Sequence, residues 1–238
     1  MLRVFLTGIC LALPLNLAAA ECVVLLHGLA RTSASMEQMA ATLSDAGYRV
    51  ENLDYPSREA SIETLAPATV RAGADRCAKN NASPVHFVTH SLGGILVRYY
   101  LASNRLDNLG RVVMLGPPNQ GSEVADALMD IPGYEAFNGP AGRQLGTGPD
   151  SIPRRLGPVD FPLGVVAGTE TINYLLSQLL PNPDDGKVSV ASTRVEGMAD
   201  HISVPVSHPF LMQRDEVIAQ VLNFLASGRF NRQAESAD

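Results

Sequence analysis

The chain has 238 residues, of which 46% are hydrophobic and 18% are charged. A chain of this length and composition can form one α/β domain with a sizeable core, or one domain that carries a small cap. Its formal net charge is −6 and its longest basic run is the pair Arg154-Arg155, so we do not expect nucleic acid as a partner.

The first twenty residues have the pattern of a secretory signal peptide. Arg3 provides a short positive region, residues 4–17 are apolar, and three alanines at 18–20 form a small-residue cleavage site. We therefore expect a cleaved signal over residues 1–20, a single domain over residues 21–238, and a periplasmic or secreted mature protein. The apolar run is short for a membrane span and no later segment is long enough, so we expect no transmembrane anchor in the mature chain.

The cysteine count predicts a disulfide. Signal cleavage would remove Cys10 and leave Cys22 and Cys77 as an even pair in an oxidising compartment. Two separate buried thiols are the alternative. Cys22 opens the first predicted strand and Cys77 lies near the end of a helix that runs back along the sheet. Both are therefore expected at the end of the sheet that is remote from an active site.

Strand and helix patterns alternate through most of the chain, in the order typical of a parallel sheet. We predict strands over residues 22–26, 48–55, 85–89, 111–115, 163–167 and 202–206. We predict helices over residues 62–79, 94–104 and 216–225, and a further helix that begins at Ser33 or Ser35 and stops at Gly47. This order predicts the α/β class, with about six strands in a mostly parallel sheet and helices on both faces.

Three departures from that alternation have structural meaning. Pro205 lies within the sixth predicted strand, and proline removes a ladder donor, so we place that strand at an edge of the sheet. Residues 117–160 are rich in Gly and Pro with one short helix predicted at 123–129, which is typical of a functional loop or cap. A helical insert is predicted over residues 172–180.

A serine stands at the corner between the third predicted strand and its helix. The run Thr89-His90-Ser91-Leu92-Gly93 lacks the first glycine of the G-x-S-x-G nucleophile elbow but keeps the serine and the second glycine. A sharp turn here would lift the serine hydroxyl out of the sheet and place it at the positive end of a helix. Such a serine is also common as a plain turn or cap residue.

Four further segments strengthen the interpretation of that serine. Together with the elbow, in the chain order Ser, Asp, His, they resemble an α/β-hydrolase of the lipase/esterase type over roughly Cys22 to Leu225. The segments are His27-Gly28-Leu29, Gly116-Pro117-Pro118-Asn119-Gln120-Gly121-Ser122, Asp185-Gly186-Lys187-Val188 and Ser207-His208-Pro209.

The resemblance implies roles that ester chemistry requires independently. Ser91 would be the nucleophile, His208 the base and Asp185 the carboxylate that orients the base. All three follow strands, so they should meet at the carboxyl edge of the sheet. The backbone N–H groups of Leu29 and Leu92 would form the oxyanion hole. Asp184 is an adjacent candidate for the acid, but Gly186 directly after Asp185 and the D-G-x-V pattern favour Asp185.

The remaining histidines are assigned to structural positions. His27 should shape the oxyanion loop, and His90 is expected to be structural despite its place beside Ser91. His86 should be buried or solvated on its strand, and His201 starts the sixth strand, far from the catalytic end. We predict no metal site and no cofactor, because no His/Cys/Asp spacing suits a metal ligand set.

The predicted function is hydrolysis of a small-molecule or lipid ester. Acyl transfer or amide cleavage by the same three residues is an alternative, and a binding protein on this fold is a weaker one. The sequence does not indicate the acyl-chain length or the oligomeric state.

Overall fold

The computed structural model describes residues 20–232 and has one six-stranded sheet in which all neighbouring strands are parallel. The strand order is β2-β1-β3-β4-β5-β6. The strands are β1 (Cys22–Leu26), β2 (Arg49–Leu53), β3 (Val85–His90), β4 (Leu109–Leu115), β5 (Leu163–Gly168) and β6 (Asp200–Val204). The predicted signal peptide lies outside the described residues except for its last position.

Helices cover both faces of the sheet, so the predicted α/β class is confirmed. The helices are α1 (Glu37–Asp45), α2 (Ile62–Lys79), α3 (Leu92–Leu101), α4 (Glu123–Leu128), α5 (Tyr134–Arg143), α6 (Ile152–Arg155), α7 (Tyr174–Ser177), α8 (Val190–Thr193) and α9 (Asp215–Ser227). The core side chains of α2 and α3 belong to one apolar cluster, and those of α1 and α9 belong to the other.

The first strand shows why its sequence is a continuous apolar run. Val24 and Leu26 join the cluster of α2 and α3, whereas Val23 and Leu25 join the cluster of α1 and α9. All four side chains are fully buried. Because alternate residues of a strand point to opposite faces, a strand covered on both faces must be apolar at every position.

The predicted central strands and the helix over 62–79 are confirmed, whereas several bounds differ. The helix after the elbow begins at Leu92 and ends at Leu101, not at 94 and 104. The first helix begins at Glu37 after a 3-10 turn, and neither predicted serine caps it. The sixth strand begins and ends two residues earlier than predicted, so Pro205 lies after it. The predicted edge position is nevertheless right, since in the described part of the chain β6 pairs only with β5.

The two inserts also differ from the prediction. Residues 117–160 contain three short helices where one was predicted, and Gly139 and Pro140 interrupt the second of them. The predicted helical insert over 172–180 has a single α-helical turn, Tyr174–Ser177. Short helices of this kind depend on packing against the sheet and its helices more than on their own periodicity.

The disulfide between Cys22 and Cys77 is present, with 5.8 Å between the two Cα atoms. It joins the start of β1 to the last turn of α2, and both cysteines are fully buried. Because parallel strands gather functional groups at their carboxyl ends, this bond lies at the opposite end of the sheet. Within residues 20–232, no helix combines the length and the hydropathy that a membrane span requires.

Candidate active site

The turn between β3 and α3 presents Ser91 at the carboxyl edge of the sheet. Ser91 has φ +51° and ψ −118°, a left-handed value of φ that is unfavourable for a residue with a side chain. The turn is tight because α3 passes close to β1. A Cβ atom added to Gly93 would lie 2.6 Å from the carbonyl oxygen of Leu26, so only glycine fits there.

Two backbone amides next to this serine have no acceptor. Neither the N–H of Leu29 nor that of Leu92 donates a hydrogen bond to any group in the described part of the chain. The loop that carries Leu29 packs against the elbow, since a Cβ atom on Gly28 would lie 3.3 Å from the Cβ of Ser91. The predicted oxyanion positions therefore lie beside the predicted nucleophile, with donors that are available to a ligand.

A carboxylate–imidazole pair lies at the same edge. Nδ1 of His208 is 2.7 Å from Oδ2 of Asp185, and the backbone N–H of His208 donates to the Asp185 carbonyl at 3.0 Å. The other carboxylate oxygen, Oδ1, accepts the amides of Lys187 and Val188 at 3.0 and 2.8 Å. Both oxygens of the buried Asp185 are therefore engaged, which fixes its side chain and orients the ring of His208.

Asp184 has a different set of partners. Its Oδ1 accepts the backbone N–H of Gly186 and its Oδ2 accepts the hydroxyl of Ser177, each at 2.7 Å. Asp184 therefore joins the turn after β5 to the end of α7. The geometry pairs Asp185, not Asp184, with the histidine, as the sequence pattern predicted.

Two other histidines position the groups of the site. The ring of His27 stacks on Tyr55 at 4.1 Å between centroids and its Nδ1 is 2.9 Å from the Gly28 carbonyl. His90 donates from Nε2 to the carbonyl of His208 at 3.0 Å, and the two rings lie 4.7 Å apart. Burial lowers the pKa of His27 and holds the pKa of His90 well below its usual value, so both rings are neutral.

His86 and His201 lie on β3 and β6, outside the site, as expected. His86 contacts Glu21, with 3.1 Å between its Nε2 and the carboxylate, and its Nδ1 accepts the amide of Arg111. His201 contacts the hydroxyl of Thr193 at 2.9 Å. Burial lowers the pKa of both, to about 4 for His201.

A cavity of about 510 Å³ opens beside Ser91 and His208. Much of its wall comes from the Gly/Pro-rich segment that was predicted to be a cap, and that part of the wall is mostly apolar. The large side chains that this segment contributes are Val124, Leu128, Tyr134, Phe137 and Leu145. The hydroxyl of Ser91 has no hydrogen-bond partner among the described residues, so it is free to meet a ligand in this cavity.

Sequence reasoning missed two cavity residues, Arg31 and Lys187. Arg31 follows the oxyanion loop, and Lys187 occupies the variable position of the D-G-x-V segment. No sequence signal marks either position, because only the fold brings these two loops together. No group of three His, Cys, Asp or Glu side chains within residues 20–232 is arranged to hold a metal ion.

The comparisons agree with this architecture. A family model described as the alpha/beta hydrolase family matches residues 23–205. A mature lipase from Bacillus licheniformis has a TM-score of 0.67 at 19% identity, over 87% of this chain and 91% of that chain. A phospholipase from Legionella pneumophila has a TM-score of 0.66 at 19% identity, over 80% of this chain and 53% of its own.

An esterase from Rhodococcus sp. has a TM-score of 0.58 at 20% identity, over 87% of this chain and 91% of that chain. No curated protein sequence matches the chain. At these identities the solved structures show a common fold. Any reaction of this chain must therefore be inferred from its own residues.

Proposed function

The chain belongs to the α/β-hydrolase family, and from that premise we propose that it cleaves carboxylic esters by nucleophilic catalysis. The observation that carries the proposal is the convergence of three features on one cavity. These are Ser91 on a strained turn, the hydrogen-bonded pair of His208 and Asp185, and two amides without acceptors.

The first half of the reaction forms an acyl-enzyme. The Oγ of Ser91 attacks the ester carbon while Nε2 of His208 takes the hydroxyl proton, and the carbonyl electron pair moves onto oxygen. The amides of Leu29 and Leu92 donate to that oxyanion, and one such donor typically contributes about 3–4 kcal/mol to lowering the barrier. The intermediate then collapses, the C–O bond to the alcohol breaks, and His208 returns the proton to the leaving alkoxide.

Water completes the cycle through the same groups. His208 takes a proton from water, the resulting hydroxide attacks the acyl carbon, and collapse of the second intermediate frees the acid and returns the proton to Ser91. Asp185 keeps its charge throughout and stabilises the imidazolium. The hydrogen bond between Ser91 and His208 forms in the substrate complex, because such bonds are often loose in substrate-free enzymes.

The location of the enzyme and the role of the cap-like segment are parts of the same proposal. The signal peptide predicted over residues 1–20 and the Cys22–Cys77 disulfide support a periplasmic or secreted enzyme, because disulfides persist in oxidising compartments. The segment over residues 117–160 would act as the cap that selects the acyl group, since its apolar side chains line the cavity. An apolar wall favours esters with an alkyl chain over acetate esters.

An ester panel tests the proposal directly. We expect the purified protein to hydrolyse p-nitrophenyl esters, with kcat/KM rising from the acetyl to the octanoyl ester. Ser91→Ala should lower kcat by a factor on the order of 10⁶, as the loss of a nucleophile does in other serine hydrolases. The exposed Ser103, on the loop after α3, supplies the matched control Ser103→Ala, which should keep full activity.

An active Ser91→Ala variant would reject the proposed nucleophile. Product analysis in the presence of a competing alcohol separates hydrolysis from acyl transfer, because a transferase would yield the new ester in excess of the acid.

A further inference from the structure

The cavity beside Ser91 is positively charged although the protein is not. Its charged side chains are Arg31, Asp185 and Lys187, and the whole chain carries a formal net charge of −6. Asp185 is fully engaged, with Oδ2 bound to His208 and Oδ1 bound to two backbone amides. Two cations therefore face the cavity against one carboxylate whose hydrogen-bonding positions are already used.

Neither cation has a partner of its own. Among residues 20–232, the side chains of Arg31 and Lys187 form no hydrogen bond and no ion pair within 4 Å. Both residues are exposed, so water solvates them in the free protein. Because both side chains line the same cavity, an anion bound between them would offset the repulsion between the two cations.

The surface around the cavity also carries exposed apolar side chains. The exposed large apolar side chains of the described residues all lie on three segments that also line the cavity, at 128–145, 171–180 and 208–210. They are Ile131, Phe137, Ile172, Tyr174, Leu175, Leu179 and Phe210. Exposed apolar side chains grouped in this way mark a binding surface. A ligand that suits both features has an alkyl chain and an anionic group.

We propose that Arg31 and Lys187 form an anion subsite, and that the substrate is an amphiphilic ester with a phosphate or carboxylate near the scissile bond. The inference rests on the proposed ester hydrolysis and specifies its substrate class. Arg31 supplies a planar guanidinium that can hold two oxygens of the anion, and Lys187 supplies a point charge. Such an ester can come from a membrane phospholipid or from a soluble anionic ester.

Binding to the Ser91→Ala variant tests the subsite without relying on turnover. Titration calorimetry would compare octyl phosphate with the neutral octyl glucoside, which shares the alkyl chain. Adding Arg31→Gln or Lys187→Gln should weaken octyl phosphate binding on the order of tenfold each, relative to the neutral ligand. Lys79, the only other lysine of the chain, is exposed at the end of α2, so Lys79→Gln is the matched control and should leave the ratio unchanged.

Vesicles distinguish the two sources of the anion. The net charge alone would repel the protein from phosphatidylglycerol, so a preference for phosphatidylglycerol over phosphatidylcholine that disappears in the double variant Arg31→Gln/Lys187→Gln indicates a membrane lipid. Binding of octyl phosphate without any vesicle preference indicates a soluble ester. Binding of octyl phosphate, and any preference for phosphatidylglycerol, should weaken in 0.5 M NaCl, because exposed charges are screened by salt.

Equal affinity for octyl phosphate and octyl glucoside, or an octyl phosphate affinity that the two substitutions leave unchanged, would overturn the subsite. That failure is separate from failure of the proposed function. Hydrolysis of neutral p-nitrophenyl esters by the wild-type protein would still stand if the subsite were wrong. Conversely, a protein that binds octyl phosphate through Arg31 and Lys187 but cleaves no ester would reject the proposed reaction only.

Discussion

The Ser91 backbone is held in a conformation that a serine rarely adopts. A φ of +51° costs a non-glycine residue on the order of 1–3 kcal/mol, and it persists only where surrounding structure fixes it. Here β3 and α3 supply that structure, since both are almost wholly buried and Gly93 lets α3 contact β1. The strained turn places the Ser91 hydroxyl in the cavity, beside two amides that have no acceptor within residues 20–232, which is what the proposed reaction uses.

The neighbouring carboxylates Asp184 and Asp185 give a matched pair of variants. Asp185→Asn should lower kcat/KM by a factor on the order of 10⁴, because an asparagine in its place favours the wrong tautomer of His208. Asp184→Asn should lower kcat/KM by less than about tenfold, since within residues 20–232 its carboxylate hydrogen-bonds only to Ser177 and Gly186. Kinetics on one soluble ester, with circular dichroism to check folding, compares them. A large loss at Asp184 together with an active Asp185→Asn variant would reverse the assignment.

One glycine brings the proposed cap over residues 117–160 into contact with a neighbouring loop. Gly139 interrupts α5 with φ +67°, and a Cβ atom there would lie 1.9 Å from the carbonyl oxygen of Arg58. This close approach joins the cap to the loop before α2. Gly133 has φ +92° but would meet nothing within 4 Å, so it shares the conformation without the contact.

Alanine substitutions at Gly133 and Gly139 separate the effect of the contact with Arg58 from the effect of the positive φ. Gly133→Ala should cost about 1–2 kcal/mol through backbone strain alone. Gly139→Ala should cost clearly more, because backbone must also move, and it should raise KM for long-chain esters as the cap shifts away from the cavity. Urea denaturation and kinetics on the octanoyl ester measure both effects. Equal losses in the two variants would mean that the contact with Arg58 does not hold the cap.

The elements that the sequence predicted well are those whose burial leaves a pattern. β1 and β5 have no polar side chain, and β3 is buried at every position, because both faces of these strands are covered. β6 was placed two residues late because it begins with the polar Asp200 and His201. In the folded protein Arg232 donates a hydrogen bond to Asp200, and the hydroxyl of Thr193 contacts His201. Arg232 is distant in sequence, and Thr193 lies in α8, a helix that was not predicted.

The residues of the site also differ in whether a sequence pattern marks them. Ser91, Asp185 and His208 stand in motifs with fixed neighbours, so their approach at one sheet edge followed from strand order. Arg31 and Lys187 stand in no motif, and their common cavity results from two loops that fold against each other. The cap helices α5 and α6 were missed because Gly139, Pro140 and Pro153 break the helical pattern that would have revealed them.

For the whole molecule, buried neutral histidines predict sensitivity to acid. The pKa values of His27, His86, His90 and His201 are all lowered from 6.5, mainly by burial. In the unfolded chain each histidine takes up a proton as the pH falls through about 6.5. The unfolded state therefore binds more protons, and the free energy of unfolding should fall as the pH decreases from about 7 toward 4.

A variant of His201 measures one part of this pH dependence of the free energy of unfolding, because the pKa of His201 in the folded protein is about 4. Between pH 6 and pH 5, one histidine that titrates almost only on unfolding contributes a slope of up to about 1.4 kcal/mol per pH unit. His201→Gln should reduce the slope of the wild-type protein by up to that amount, as seen by urea denaturation at several pH values. A free energy of unfolding that stays constant from pH 7 to pH 5 would contradict the neutral state of these rings in the folded protein.

The proposed reaction requires Ser91 to be a nucleophile that His208 activates. The most direct measurement is mass spectrometry of the intact protein after reaction with a fluorophosphonate, followed by peptide mapping of the adduct. We predict one adduct per chain on Ser91, no adduct in Ser91→Ala, and labelling slowed by several orders of magnitude in His208→Gln. An adduct on another residue, or equal labelling of Ser91→Ala, would contradict it.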